Sequence, residues 1–239
     1  MLLRLRVALP DRPGSLGQVA RALGAAGADI VQVVVLERVG GRAVDDFTVV
    51  WPASAPADRV LSGLVAVPGV RVDGVWRGTE LSEPSGREVT VVGQIAANPE
   101  LGMSTLVDAV PGALGAEWSM ALAVGPDWAS GWTPGDDSTP GGPALVGASW
   151  RAPSVPPRAE IAPVRPRATT AADGTHLAIA PFQRGGLVLV VARGGPGGDA
   201  GAPPFHRSEV DRLAQIVGAA AAVLGDQVLD LAVAELETA

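Results

Sequence analysis

The chain opens on an alternation. Leu3, Leu5, Val7 and Leu9 are apolar, and Arg4, Arg6 and Ala8 stand between them, the period-2 pattern of a strand with one buried face and one wet face. Pro10 to Gly14 interrupt it as a sharp turn. The period then becomes helical: Leu16, Val19, Ala20 and Leu23 fall at i, i+3, i+4 and i+7, Ser15 and Gln18 stand in capping-box spacing, and Gly27 suits the helix stop. A turn between the end of a strand and the start of a helix offers free backbone N–H groups and the positive end of the helix dipole, which favour a negatively charged group such as a carboxylate.

Asp29 to Val39 follows with Ile30, Val31, Val33, Val34, Val35 and Leu36 nearly continuous, which predicts a central strand covered on both faces. Gly40 and Gly41 predict a hairpin. The returning strand, Arg42 to Trp51, sets Val44, Asp46, Thr48 and Val50 against Asp45, Phe47, Val49 and Trp51. A helix over Ala57 to Val67 carries Val60, Leu61, Leu64 and Val65 on one stripe, stops at Pro68 and Gly69, and leads to a strand from Val70 to Arg77. Strand, helix, strand, strand, helix, strand in about 75 residues is the ferredoxin-like split arrangement, and the domain it forms is read over residues 1–77. Residues 78–86, GTELSEPSG, are short and polar and read as the linker between two domains.

Beyond the linker, residues 87–239 predict a second α+β domain. Helices run over Arg87 to Ala97 and Pro99 to Ala113, and a strand over Glu117 to Val124. A Gly/Pro-rich loop over 125–143 is expected to be mobile. A strand over Ala144 to Trp150 and an extended Pro/Arg stretch over Arg151 to Arg167 come next. His176 to Gln183 and Gly186 to Arg193 then form a hairpin turning at Arg184 and Gly185. In the terminal helix Ser208 is spaced from Asp211 as a cap, and Val210, Leu213, Ile216, Val217, Ala220, Ala221 and Leu224 trace one face.

Composition removes whole classes of chemistry. Across 239 residues the formal net charge is -7, the wrong sign for nucleic acid as the main partner. The apolar run Ile216 to Leu224 is far shorter than the roughly 20 residues that span a bilayer, so no membrane partner is expected. Met1 leads directly into a strand rather than a signal peptide, and a cytoplasmic location is the expectation. The chain has no Cys, no Tyr and no Lys, all 18 basic residues being Arg. Disulfides, thiolate metal sites, Schiff bases and a Walker-type lysine are thereby excluded.

The turn Asp11-Arg12-Pro13-Gly14-Ser15-Leu16, followed by Gly27-Ala28-Asp29-Ile30 and set in the element order above, resembles the ACT domain, the small regulatory module attached to many enzymes of amino-acid metabolism. The resemblance implies side-by-side pairing of two copies into a continuous sheet and an amino acid bound at the interface. It places the ligand contacts on Asp11, Arg12, Gly14, Ser15 and Leu16 of the turn and on Asp29 and Ile30 of the next strand. Some serine-binding members carry a histidine where Leu9 stands and Asn where Asp11 and Asp29 stand. A carboxylate accepts from an ammonium group but donates nothing to a ligand carboxylate, so the polarity of this loop differs from theirs. A purely structural reading of the same residues stays open: Pro13 and Gly14 satisfy the turn's backbone angles, and Asp11 and Asp29 cap turns.

In the second half, Leu187-Val188-Leu189-Val190-Val191, the aromatic Phe205 and Glu209-Val210-Asp211-Arg212-Leu213-Ala214, with helices at both ends around antiparallel strands, are similar to a GAF domain. That resemblance implies an antiparallel sheet flanked by helices and a dimer bundle of terminal helices. No cyclic-nucleotide signature and no bilin or haem arrangement accompanies it, so no cofactor is expected.

Other motifs weigh less. Trp118 and Trp150 are expected in the core, while Trp128 and Trp132 stay open between loop packing and a ligand pocket. His176 and His206 have no partners at metal-ligand spacing. Asp136 and Asp137 read as solvated, and no G-x-S-x-G accompanies either histidine. Gly194 to Gly198 reads as a flexible turn, and Arg151, Arg158, Arg165 and Arg167 as a solvated extended stretch. The expectation is a non-enzymatic regulatory protein that senses an amino acid or similar small ligand as a homodimer and signals onward, with an enzyme regulated in trans as a candidate partner. The alternatives are an assembly module with no small ligand, and an enzyme with an unrecognised site in the second half.

Overall fold

The computed structural model describes residues 1–78, 86–125, 143–157, 165–182, 186–228 and 230. Most of the expected loop 125–143, with Trp128, Trp132, Asp136 and Asp137, lies outside the described residues, as do Arg158, residues 79–85 of the linker, and Arg184 and Gly185 of the hairpin turn. Contacts divide the chain into two units, Met1–Leu81 with Asp199–Pro203, and Ser82–Gly198 with Pro204–Ala239. Both are α+β.

The first unit has the ferredoxin-like order β1 (Leu2–Pro10), α1 (Ser15–Ala26), β2 (Asp29–Val39), β3 (Arg42–Val50), α2 (Asp58–Val65) and β4 (Arg71–Gly78). Its strands form one antiparallel sheet in the order β2-β3-β1-β4. Leu3, Leu5, Val7 and Leu9 of β1 and Phe47 and Val49 of β3 pack under Val19 and Leu23 of α1 and Val60 and Leu64 of α2. Burying these side chains, each worth roughly 1.5–3 kcal/mol, drives the helices onto one face of the sheet.

Topology reverses the sequence reading of two strands. β1, expected to have a wet face, is the central strand and is buried along both faces from Leu3 to Leu9. Arg6 is accommodated there because its guanidinium makes a two-point ion pair with Asp46, its cross-strand neighbour, at 2.8 and 2.7 Å, and lies 5.7 Å from the Trp76 ring. β2, expected to be covered on both faces, is an edge strand with Val31, Val33, Val34, Val35 and Val39 exposed. Apolar content reports that a strand needs cover without saying whether its own chain supplies it.

The other edge is covered. Residues 199–203 lie along β4: Val75 N–H donates to the Gly201 carbonyl at 3.0 Å, and Arg77 N–H to Asp199 Oδ2 at 2.7 Å. Gly74 permits the approach, since a Cβ there would stand 2.7 Å from Cδ of Pro203.

The second unit runs α3 (Arg87–Ala97), a 3-10 turn (Pro99–Leu101), α4 (Gly102–Leu114), β5 (Trp118–Ala123), β6 (Ala144–Ala148), β7 (Arg167–Thr170), β8 (His176–Pro181), β9 (Leu187–Arg193) and α5 (Arg207–Leu224). Its five-stranded sheet has the order β6-β5-β9-β8-β7, with every pairing antiparallel. One face packs on the helices through Ala121, Leu189 and Val191 against Leu106, Val110, Leu213 and Ile216. Trp118, Met120, Leu122, Leu177, Ile179, Val188 and Val190 form a separate buried cluster. At the end of the stretch expected to be extended, which closed at Arg167, a strand that the sequence reading did not assign runs over Arg167–Thr170, recruited by backbone pairing of Thr170 to His176 and Arg167 to Ile179. The tip of this sequence is polar, and only the neighbouring strand makes it β.

Candidate functional site

The turn after β1 is built by backbone. Asp11 N–H donates to the Gly41 carbonyl of the β2–β3 hairpin at 2.8 Å, and Ser15 N–H to the Arg12 carbonyl at 3.2 Å. Gly14 caps α1 with φ +90°, and a Cβ built on it would meet nothing within 4 Å, so the glycine answers to backbone angle rather than to space. The expected capping box is not formed. Ser15 is the first helical residue, buried, and makes no side-chain cap; Gln18 N–H goes to the Gly14 carbonyl at 3.1 Å. The left-handed glycine turns the chain one residue too late for Ser15 to reach back.

Asp11 already has a cation. Arg38 of β2 donates to it from Nε at 3.0 and 3.1 Å and from Nη2 at 2.6 Å. That pair is exposed, with two-thirds of the Arg38 side chain in solvent, and the contact raises the Arg38 pKa further above its ordinary value.

Asp11, Arg12, Gly14, Ser15 and Leu16 are brought together at one end of the sheet, with Arg12 and Leu16 exposed. Asp29 and Ile30 are not with them. Asp29 stands opposite Val50 and Ile30 opposite Val49, and Val50 in turn pairs with Leu2. The turn leaves from Pro10, eight residues along the same strand, and thus about 27 Å away within one chain.

Sequence reasoning did not single out Asp45. It lies on β3 between Val7 of β1 and Val35 of β2, on the face that carries Phe47 and Val49 into the core. It is only 3% exposed, and its Oδ1 has no hydrogen-bond partner. Burial pushes its carboxyl pKa up, the neighbouring Asp46 adds to this, Arg38 opposes it and Asp11 adds a little more. An acidic residue at an apolar position of a two-sided strand was the signal for it.

In the second unit the candidates disperse. Trp118 is in the core, but Trp150 is 83% exposed, against the core expectation, with the Arg151 guanidinium 4.6 Å from its ring. β6 ends at Ala148, so Trp150 falls in the turn beyond the sheet. His176 Nδ1 sits 3.1 Å from Thr170 Oγ1, and burial, with Arg193 nearby, lowers its pKa. The cap of α5 is His206, not Ser208: its ring accepts from Ser208 N–H, and Glu209 Oε2 accepts from His206 N–H at 2.7 Å. The same Glu209 holds the fully buried Arg193 at 2.8 Å through both oxygens, and the Phe205 ring lies 4.0 Å from that guanidinium. Gly194 N–H donates to Glu117 Oε1 at 3.2 Å, which ties the glycine-rich turn to the start of β5. Among the described residues no group of three or more His, Asp or Glu is placed to hold a metal ion, and no helix is long and apolar enough to cross a membrane.

The chain is therefore an α+β protein with a ferredoxin-like unit and a second unit of antiparallel sheet and helices. No protein-family model matches it, and neither does any curated protein. Solved structures similar to parts of it include a formyltetrahydrofolate deformylase from Pseudomonas putida, at 15% identity over 43% of this chain and 40% of that one, with a TM-score of 0.28. A second is an unknown protein from Galdieria sulphuraria, at 18% identity over 52% of this chain and 72% of that one, TM-score 0.29. A third is the regulatory subunit of aspartate kinase from Thermus thermophilus, at 20% identity over 39% of this chain and 69% of that one, TM-score 0.28. This chain thus spans well under half of the deformylase. The fold assignment rests on the strand order and registers described above.

Proposed function

We propose that the protein is a non-enzymatic, cytoplasmic regulator in which an ACT-type first unit senses an amino acid or similar small ligand as a homodimer, with a GAF-like second unit relaying the state to an enzyme in trans. The observation that carries this reading is the pair of unequal sheet edges. β4 is lined by the chain's own residues 199–203, whereas β2 keeps five exposed valines on a free edge. A long apolar edge invites another strand, and a second copy of β2 is the strand every molecule has available.

Antiparallel pairing of two β2 strands sets the start of one beside the end of the other. Asp29 and Ile30 of one protomer then approach the Asp11–Leu16 turn of its partner, closing the gap of about 27 Å that separates them in one chain. A ligand seated there would contact both protomers and favour one dimer arrangement by the difference in its affinity for the two.

The test has two arms on the full chain. Val33→Lys with Val34→Lys puts like charges at the middle of the pairing and is expected to convert a dimer to a monomer in analytical ultracentrifugation. A thermal-shift panel of the twenty amino acids is expected to yield at least one that raises the midpoint, since ligand at about 100 times its dissociation constant adds roughly 2.7 kcal/mol. A wild-type monomer that no amino acid stabilises would return the protein to the assembly or enzyme alternatives.

A further inference from the structure

Two carboxylates near the turn are matched by guanidinium groups. Asp11 is matched by Arg38, and Asp46 by Arg6. Asp45, next to Asp46 on β3 but on the opposite face of the sheet, is buried, with an oxygen that accepts nothing. An unsatisfied buried acceptor costs about 1–3 kcal/mol, and a charged one more, so such a group persists where something outside the chain completes it.

Its surroundings define that partner. Calcium or magnesium takes six or more oxygen ligands, and among the described residues no group of three or more His, Asp or Glu is placed to hold a metal ion. An ammonium group needs only one strong acceptor and a few weak ones. The residues directly across from Asp45 and next along its face are apolar: Val7 and Phe47 are closed off, while Val35 on β2 is 53% exposed; Arg38, in register with Ala43 on the same face, and its partner Asp11 act on Asp45 from the side of the turn. Of the two residues directly across from Asp45, Val35 on the edge strand is the one that meets solvent. Resting on the ligand-sensing reading above, we propose that Asp45 is the anchor for a primary ammonium group borne on a small apolar body, bound beside Val35 below the Asp11–Arg38 pair. An aliphatic amino acid and a simple alkylamine both present that chemistry.

The experiment compares wild-type full-length protein with Asp45→Asn, by calorimetry and thermal shift, using L-valine, L-leucine, isobutylamine and N-acetyl-L-valine as probes. The expected result is binding of L-valine or L-leucine to the wild type, none of N-acetyl-L-valine, and a dissociation constant at least about tenfold weaker in Asp45→Asn, whose ligand-free midpoint lies above the wild type's. Binding of isobutylamine as well identifies an amine site; its failure to bind identifies an amino-acid site whose carboxylate is also read. Equal binding of a probe to both proteins, or of N-acetyl-L-valine to the wild type, overturns the role of Asp45 and leaves the sensing reading standing. An unchanged ligand-free midpoint in Asp45→Asn overturns it too, because the carboxylate is then compensated within the chain. If none of these probes binds but another of the twenty amino acids does, the apolar-body assignment fails; if none of the twenty binds, both readings fail.

Discussion

Two buried carboxylates, one in each unit, do opposite things. Glu209 accepts from both arms of Arg193 and from the His206 N–H, closing a capping box at the head of α5 while neutralising a guanidinium with no solvent exposure. Asp45 is as deeply buried, yet one of its oxygens accepts nothing. The first group is spent on holding its fold together. The second retains unused bonding capacity on the strand next to the edge strand β2. A satisfied buried carboxylate is explained by its partners within the fold, and an unsatisfied one calls for a further explanation.

The sharpest way to break this contrast is to remove the cation from the satisfied pair. Arg193→Ala should destabilise the second unit by about 3–5 kcal/mol, read by urea unfolding, because Glu209 is left charged and buried. A loss below about 1 kcal/mol would mean that Glu209 finds other partners and that the two carboxylates are alike. Truncating the cap, His206→Ala, removes the ring acceptor for Ser208 N–H and should cost about 1 kcal/mol, leaving the Arg193–Glu209 pair in place.

Asp45 should respond with the opposite sign. Its folded pKa lies above its unfolded one, so the folded state binds more protons, and stability falls as pH rises from the ordinary carboxylate range, about 4, through the raised value. The charged groups acting on it are Asp46, Arg38 and Asp11, and their own pairings moderate the slope. Asp45→Asn should flatten that part of the pH–stability curve and add about 1 kcal/mol of stability at neutral pH, because the amide carries no charge for burial to penalise. The smallest effect belongs to Arg38→Ala: an exposed pair is screened by water, so the thermal midpoint should stay where it is. A clear drop would show that Arg38 compensates Asp45 as well as Asp11, and the asymmetry between the carboxylates would narrow.

Much of the architecture was legible because it is written in local periods. The six elements of the first unit follow from alternation, 3.6-residue stripes and Gly/Pro stops; β2 and β3 occupy Asp29–Val39 and Arg42–Val50, the ranges that the Gly40–Gly41 turn implies. The helices over Arg87–Ala97 and Arg207–Leu224 were readable for the same reason. The elements missed or misread depend on what lies next to them. β7 exists because β8 pairs with it, Trp150 is exposed because β6 stops two residues short of it, and His206 displaces Ser208 as cap because Glu209 reaches back to it.

The candidate site divides along the same line. The residue types of the turn Asp11–Leu16 and its place between strand and helix are properties of the sequence, since backbone angles and short-range hydrogen bonds determine them. Which strand is central and which is the edge, that Asp29 lies a strand's length from the turn, that residues 199–203 seal one edge and that Asp45 is left without a partner for one oxygen were decided by tertiary structure alone. These depend on strand order and on which side chains meet across the sheet, contacts between residues far apart in the chain that no local period encodes.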